Sequence, residues 1–127
     1  IITSFLMKDF SQIPKDRIIY EDTYFFIIED AFPVSPGHLL IISKEIKPDY
    51  FALSAQEKDA LNEAILKAKK LVENQHQPDG YNIGMNCGET AGQTVFHFHC
   101  HLIPRYKGDM ENPRGGVRHV IPEKGAY

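Results

Sequence analysis

The chain is predicted to fold as an α+β domain, one mainly antiparallel five-stranded sheet carrying one long helix. Three observations predict it. Short segments rich in Ile, Tyr, Phe and Leu recur between turn-forming residues, one long stretch has helical periodicity, and two more strand-like segments follow that stretch. Strands, then a helix, then strands again is the pattern of α+β proteins, not the strand-helix alternation of parallel sheets.

Residues 17–21, 24–29 and 38–43 read as three strands separated by Asp22-Thr23 and by the turn from Pro33 to Gly37, an antiparallel meander. The helix opens at Ser54. Ser54-Ala55-Gln56-Glu57 has the form of a capping box, and Leu61, Ala64, Ile65, Ala68, Leu71 and Val72 follow at three- and four-residue spacing. Its end is expected near Gln75, ahead of Pro78-Asp79-Gly80. Residues 81–86 and 94–103 read as the last two strands, and residues 87–93 between them suit a hairpin with a functional loop. From Pro104 on, three prolines, four glycines and several charges predict an extended tail that docks on the body or on a partner subunit. No internal repeat interrupts this order.

A length of 127 residues predicts a single domain over 1–127, with its core at about 17–107 and a tail at 108–127. The composition, 43% hydrophobic and 24% charged, is that of an ordinary globular protein. A net charge of −3 with scattered Lys and Arg argues against a nucleic acid polymer as partner. Cys87 and Cys100 form no Cys-x-x-Cys pair, which points to a reducing compartment. No apolar run approaches the roughly 18 residues of a membrane span, and residues 1–10 lack a secretory pattern, so the chain is expected to be cytoplasmic and independent of membranes.

The strongest chemical signal is His97-Phe98-His99-Cys100-His101-Leu102-Ile103. On a strand, side chains alternate between faces, so Phe96, Phe98, Cys100 and Leu102 are expected on the core side and His97, His99 and His101 on the other. Packing alone explains such a row poorly, because each imidazole brings a donor and an acceptor that need partners. Alternate strand histidines can also chelate zinc or iron. Residues i and i+4 of a strand lie about 13 Å apart at about 3.3 Å of rise per residue, so three histidines converge on one ion only with strain. A neutral imidazole is also a nucleophile toward phosphorus, and its near-neutral pKa leaves it deprotonated at physiological pH. The glycines at 84, 88 and 92 make no P-loop, since no Gly-Lys-Ser/Thr follows.

The segment resembles the histidine triad, His-x-His-x-His followed by two apolar residues, that defines the HIT family. Pro36-Gly37-His38-Leu39-Leu40-Ile41-Ile42 resembles the family's upstream segment, Gly92-Gln93-Thr94-Val95 precedes the triad as in the family pattern, and Asp30 and Asn86 sit at matching positions. The resemblance covers roughly residues 17 to 107. It implies a HIT-like fold and a nucleotide hydrolase acting at the α-phosphate through a nucleotidyl-histidine. It further implies His99 as nucleophile, His101 at the phosphate and leaving group, and His97 and His38 ordering the ring and the phosphate site. Gln93 and Thr94 are implied to bind phosphoryl oxygens, Asp30 the ribose hydroxyls, Asn86 the phosphate side, and Ile28 and Leu40 the base.

The resemblance also implies a small-molecule nucleotide as partner, a homodimer, and no required cofactor, with Mg entering bound to a polyphosphate substrate. Two departures matter. Where many bacterial relatives carry a zinc-binding Cys-x-x-Cys before Ile-Pro, this chain has Lys8 and Ser11 before Ile13-Pro14, so no metal is expected. Pro104-Arg105 after the triad looks more like the dinucleoside polyphosphate branch than the phosphoramidase branch. A phosphoramidase or nucleotidyl transferase, a metal-dependent enzyme, and a nucleotide-binding regulatory module with negligible turnover are the alternatives. His76, at the end of the helix, is read as a surface residue, and the basic stretch around Arg114 and Arg118 as docked on the body.

Overall fold

The computed structural model describes residues 9–127. Lys8, one of the two positions in the zinc comparison, lies outside them. Five strands form one fully antiparallel sheet: β1 (Ile18–Glu21), β2 (Phe25–Glu29), β3 (Leu39–Ser43), β4 (Gly80–Gly84) and β5 (His99–Arg105). The order is β1-β2-β3-β5-β4, so the chain leaves the central β3, crosses to the edge as β4, and returns as β5 between them.

The crossing is made by helix α1 (Ala55–Glu73). Its start is fixed as the sequence predicts: the Ser54 hydroxyl accepts from the Glu57 N–H at 3.1 Å, and the Glu57 carboxylate accepts from the Ser54 N–H at 2.7 Å. Lys47 sits 3.3 Å from that buried carboxylate and compensates its charge. Leu61, Ala64, Ala68 and Val72 face the sheet and meet Phe25, Ile27, Leu39, Ile41, Phe98, Cys100 and Leu102 in one core cluster. Small alanines at the contact let helix and sheet approach closely.

Phe25 to Ile28 and Leu39 to Ser43 are buried without alternation. Such continuous apolar runs belong to strands covered on both faces. The second face is covered by the N-terminal segment, through Phe10 and Ile13, and by Val95; these pack on Phe26, Ile28, Leu40 and Ile42. The functional face is built on this second layer.

Four expectations need correction. The final strand was expected from residue 94, yet β5 begins only at His99. Before it the ladder ends: the Ser43 N–H still donates to the Phe98 carbonyl in register, but the Phe98 N–H donates to the Lys47 carbonyl. The alternation therefore holds for Phe98, Cys100 and Leu102 and fails for Phe96, which is 45% exposed. The tail is not simply extended, since Gly116–Val120 forms a 3-10 turn beside β4 and Pro122–Gly125 a short helix, α2. His76 is half-buried, its ring against Gly37. No helix among the described residues is long and apolar enough to cross a membrane.

Candidate active site

His99 and His101 project from β5 on the face away from α1, into a cleft of about 160 Å³. Asp30 at the end of β2, Leu40 on β3, and Asn86, Gln93 and Thr94 from the β4–β5 connection share its lining. Ile28 lies beneath it, 1% exposed, in the apolar floor. His38 is fully inside, against His101, and His97 is buried behind the cleft.

The hydrogen bonds determine which nitrogen of each ring carries the proton, because a backbone N–H can only donate and a carbonyl can only accept. The Phe10 N–H donates to His97 Nδ1 at 2.9 Å, so the His97 proton is on Nε2, which donates to the Ser43 carbonyl at 2.6 Å. His99 Nδ1–H donates to the His97 carbonyl at 2.8 Å, which leaves the His99 Nε2 lone pair free. The Val34 N–H donates to His38 Nδ1 at 3.0 Å, so His38 Nε2–H donates to His101 Nδ1 at 2.9 Å. His101 therefore keeps its own proton on Nε2. The site holds a nucleophilic nitrogen on His99 beside an N–H donor on His101, with the two rings 5.4 Å apart between centroids.

Burial lowers the pKa of all four imidazoles below the ordinary histidine value. For His101 the fall reaches about 4, since desolvation is reinforced by the neighbouring His99 and His38 and only partly opposed by Asp30. For His99 the bond to the His97 carbonyl and the Asp30 charge oppose desolvation without overcoming it. The rings are neutral near pH 7, the state in which His99 Nε2 can attack.

The expected site residues are brought together, with differences in what each can do. His97 is 1% exposed with both nitrogens bonded, so its ring braces Phe10 while its carbonyl orients His99. The Gln93 carboxamide accepts from Gly88 N–H at 2.8 Å and donates to the Pro48 and Val95 carbonyls at 2.6 and 3.1 Å, which ties the loop down and leaves no free N–H for phosphate. Thr94 and Asn86 are exposed in the cleft wall. Asp30 Oδ1 accepts from the Phe32 N–H, and Oδ2 stands 3.4 Å from His38 Nε2 and 3.9 Å from His101 Nδ1. Phe10, Ile13, Phe32 and Arg17 also line the cleft, and sequence reading missed them. Arg17 carried no motif signal.

Asp30, His38 and His101 converge closely enough to test as a metal site. Their three atoms, 2.9, 3.4 and 3.9 Å apart, are all about 2.0 Å from a common point, a zinc-like distance. The protonation pattern is wrong for it. Val34 holds the His38 proton on Nε2, where an ion would need a lone pair.

A five-stranded antiparallel sheet with one main helix and a histidine pair above its central strands defines a histidine-triad fold. The comparisons agree, since the model of the HIT domain matches residues 11–108. The chain belongs to the HIT family. It is 35% identical over 100 residues to the bis(5'-adenosyl)-triphosphatase of Dictyostelium discoideum, covering 79% of this chain and 67% of that one. It is 37% identical over 93 residues to the purine nucleoside phosphoramidase of Escherichia coli, covering 72% and 77%. The crystal structure of a HIT family protein from Bacillus anthracis superposes with a TM-score of 0.68 at 40% identity, covering 72% and 65%. The chain thus spans 65 to 77% of the length of these three proteins.

Proposed function

We propose that the protein is a nucleotide hydrolase that cleaves a dinucleoside polyphosphate at an α-phosphate through a nucleotidyl-histidine on His99. The observation that carries this reading is the bond from His99 Nδ1–H to the His97 carbonyl, which directs the Nε2 lone pair into the cleft. Nε2 attacks phosphorus and forms an N–P bond as the P–O bond to the leaving nucleotide breaks, its electron pair staying on that oxygen. The ring becomes cationic, and the His97 carbonyl already faces its Nδ1–H. His101 Nε2–H donates to a phosphoryl or leaving oxygen. Water then attacks phosphorus, the N–P electrons return to Nε2, and the water proton goes to solvent.

Asp30 takes the ribose hydroxyls, Leu40 the base with Ile28 packed behind it, and Thr94 and Asn86 the phosphate oxygens. No metal is required, and Mg travels with the polyphosphate. The protein acts in the cytoplasm as a homodimer. Pro104-Arg105 after the triad supports the polyphosphate substrate over a phosphoramidate, and the two named relatives, at 35% and 37% identity, do not separate the branches. The test is hydrolysis of diadenosine polyphosphates and adenosine phosphoramidate in metal-free buffer, then with magnesium. Wild type releases AMP fastest from a polyphosphate, and His99→Ala loses at least about a hundredfold. Equal rates in the two proteins overturn the nucleophile, and a faster phosphoramidate overturns the branch.

A further inference from the structure

Strand register lays a path across the histidine face of the sheet. His101 pairs with Leu40, Leu40 with Ile28, and Ile28 with Ile18, so an apolar floor runs from β5 across β3 and β2 to β1; Ile28 is covered within it, and Phe10, Ile13, Phe32 and Leu40 are apolar side chains that line the open cleft above. At about 4.8 Å per strand the floor is about 14 Å long. Arg17, directly before Ile18, lines the same cleft as His99 and Asp30 and stands at the far end of this floor. Its Nη2–H donates to the Glu29 carbonyl at 3.2 Å, which anchors the guanidinium at the end of β2. That bond engages one of five N–H donors, and among the described residues no carboxylate pairs with Arg17. It is also the one Arg or Lys among the described residues lining the cleft.

A nucleotide whose phosphorus meets His99 Nε2 and whose ribose meets Asp30 must direct its base away from β5, along the floor and toward Arg17. We infer that Arg17 is a specificity-determining residue that reads the outer edge of this base and selects guanine over adenine. Guanine presents two acceptors there, O6 and N7, which suit the parallel N–H pair of a guanidinium; adenine replaces O6 with an amino group that opposes a second N–H. The apolar floor holds either purine equally, so discrimination falls to this contact.

The inference rests on the proposed attack of His99 on an α-phosphate, but its test needs no turnover. Calorimetric binding of 5'-GMP, 5'-IMP and 5'-AMP is measured with wild type, Arg17→Ala and Arg17→Lys. These nucleotides share ribose and phosphate, so differences between them report the base. Wild type is expected to bind GMP and IMP about tenfold more tightly than AMP. Both variants bring the three within about twofold, because lysine keeps the charge and loses the fork. Equal binding by wild type, retained preference in Arg17→Lys, or equal loss for all three ligands in Arg17→Ala would each overturn it. Failure of the His99 reading shows separately, in His99→Ala turnover.

Discussion

Removing His38 should cost both stability and rate, for reasons that can be separated. The ring is 3% exposed and forms two bonds, accepting from Val34 N–H and donating to His101 Nδ1. In His38→Ala each lost bond costs about 1 kcal/mol and the vacated ring volume about 1 more, so the total is about 3 kcal/mol. For a chain of this size that lowers Tm by roughly 10 °C. His38→Phe fills the volume without restoring either bond and should lose about 2 kcal/mol. Both variants also release His101 from its single tautomer, and losing an orienting partner of this kind lowers kcat/KM about tenfold or more. The assay is thermal unfolding by circular dichroism, paired with hydrolysis of diadenosine triphosphate well below both midpoints. Unchanged Tm in His38→Ala would refute the bonding pattern. Unchanged kcat/KM in a folded variant would refute the claim that His38 sets the protonation of His101.

Gly37, immediately before His38, has φ +89°, and a Cβ there would lie 3.0 Å from the His76 ring. Gly37→Ala is expected to destabilise by about 1–2 kcal/mol, read by urea denaturation. In the unfolded chain imidazoles take up protons near pH 6.5, whereas folded His101 resists until about 4. Between those values the unfolded state binds more protons, so stability falls as pH drops from about 6.5 to about 4; His101 alone contributes on the order of 3 kcal/mol. His38, His97 and His99 shift in the same direction, and a denaturation series across this window should show a stability that rises with pH. The same lowering keeps His99 Nε2 unprotonated, so kcat/KM should stay level from about pH 8 to 6.5 and decline below, read from initial rates.

The fold was largely legible because its signals are local. Ser54 and Glu57 announce the helix three residues apart, and the apolar runs on β2 and β3 announce buried strands. The site residues were legible as a pattern, but their roles depended on distant partners. His97 is bonded across 87 residues to Phe10 and across 54 to Ser43, contacts that no spacing rule reveals. Gln93 looks like a phosphate ligand until Pro48 and Gly88 are seen to engage it. Phe96 was misplaced because strand alternation was extended past Phe98, where the ladder ends: the Ser43 N–H still donates to the Phe98 carbonyl in register, but the Phe98 N–H donates to the Lys47 carbonyl instead of to β3. Arg17 becomes a cleft residue only when β1 pairs with β2 and carries it to the cleft that Asp30 also lines.

The central claim, that His99 Nε2 forms a bond to phosphorus, is tested most directly by rapid quench. Wild type is mixed with diadenosine triphosphate, stopped in alkali, and digested for peptide mass spectrometry. The account predicts one adenylyl group on the peptide bearing His99, stable to alkali, lost in acid and absent from His99→Ala. An adenylyl group on another residue, or turnover with no adduct on the millisecond scale and full activity in His99→Ala, would contradict it.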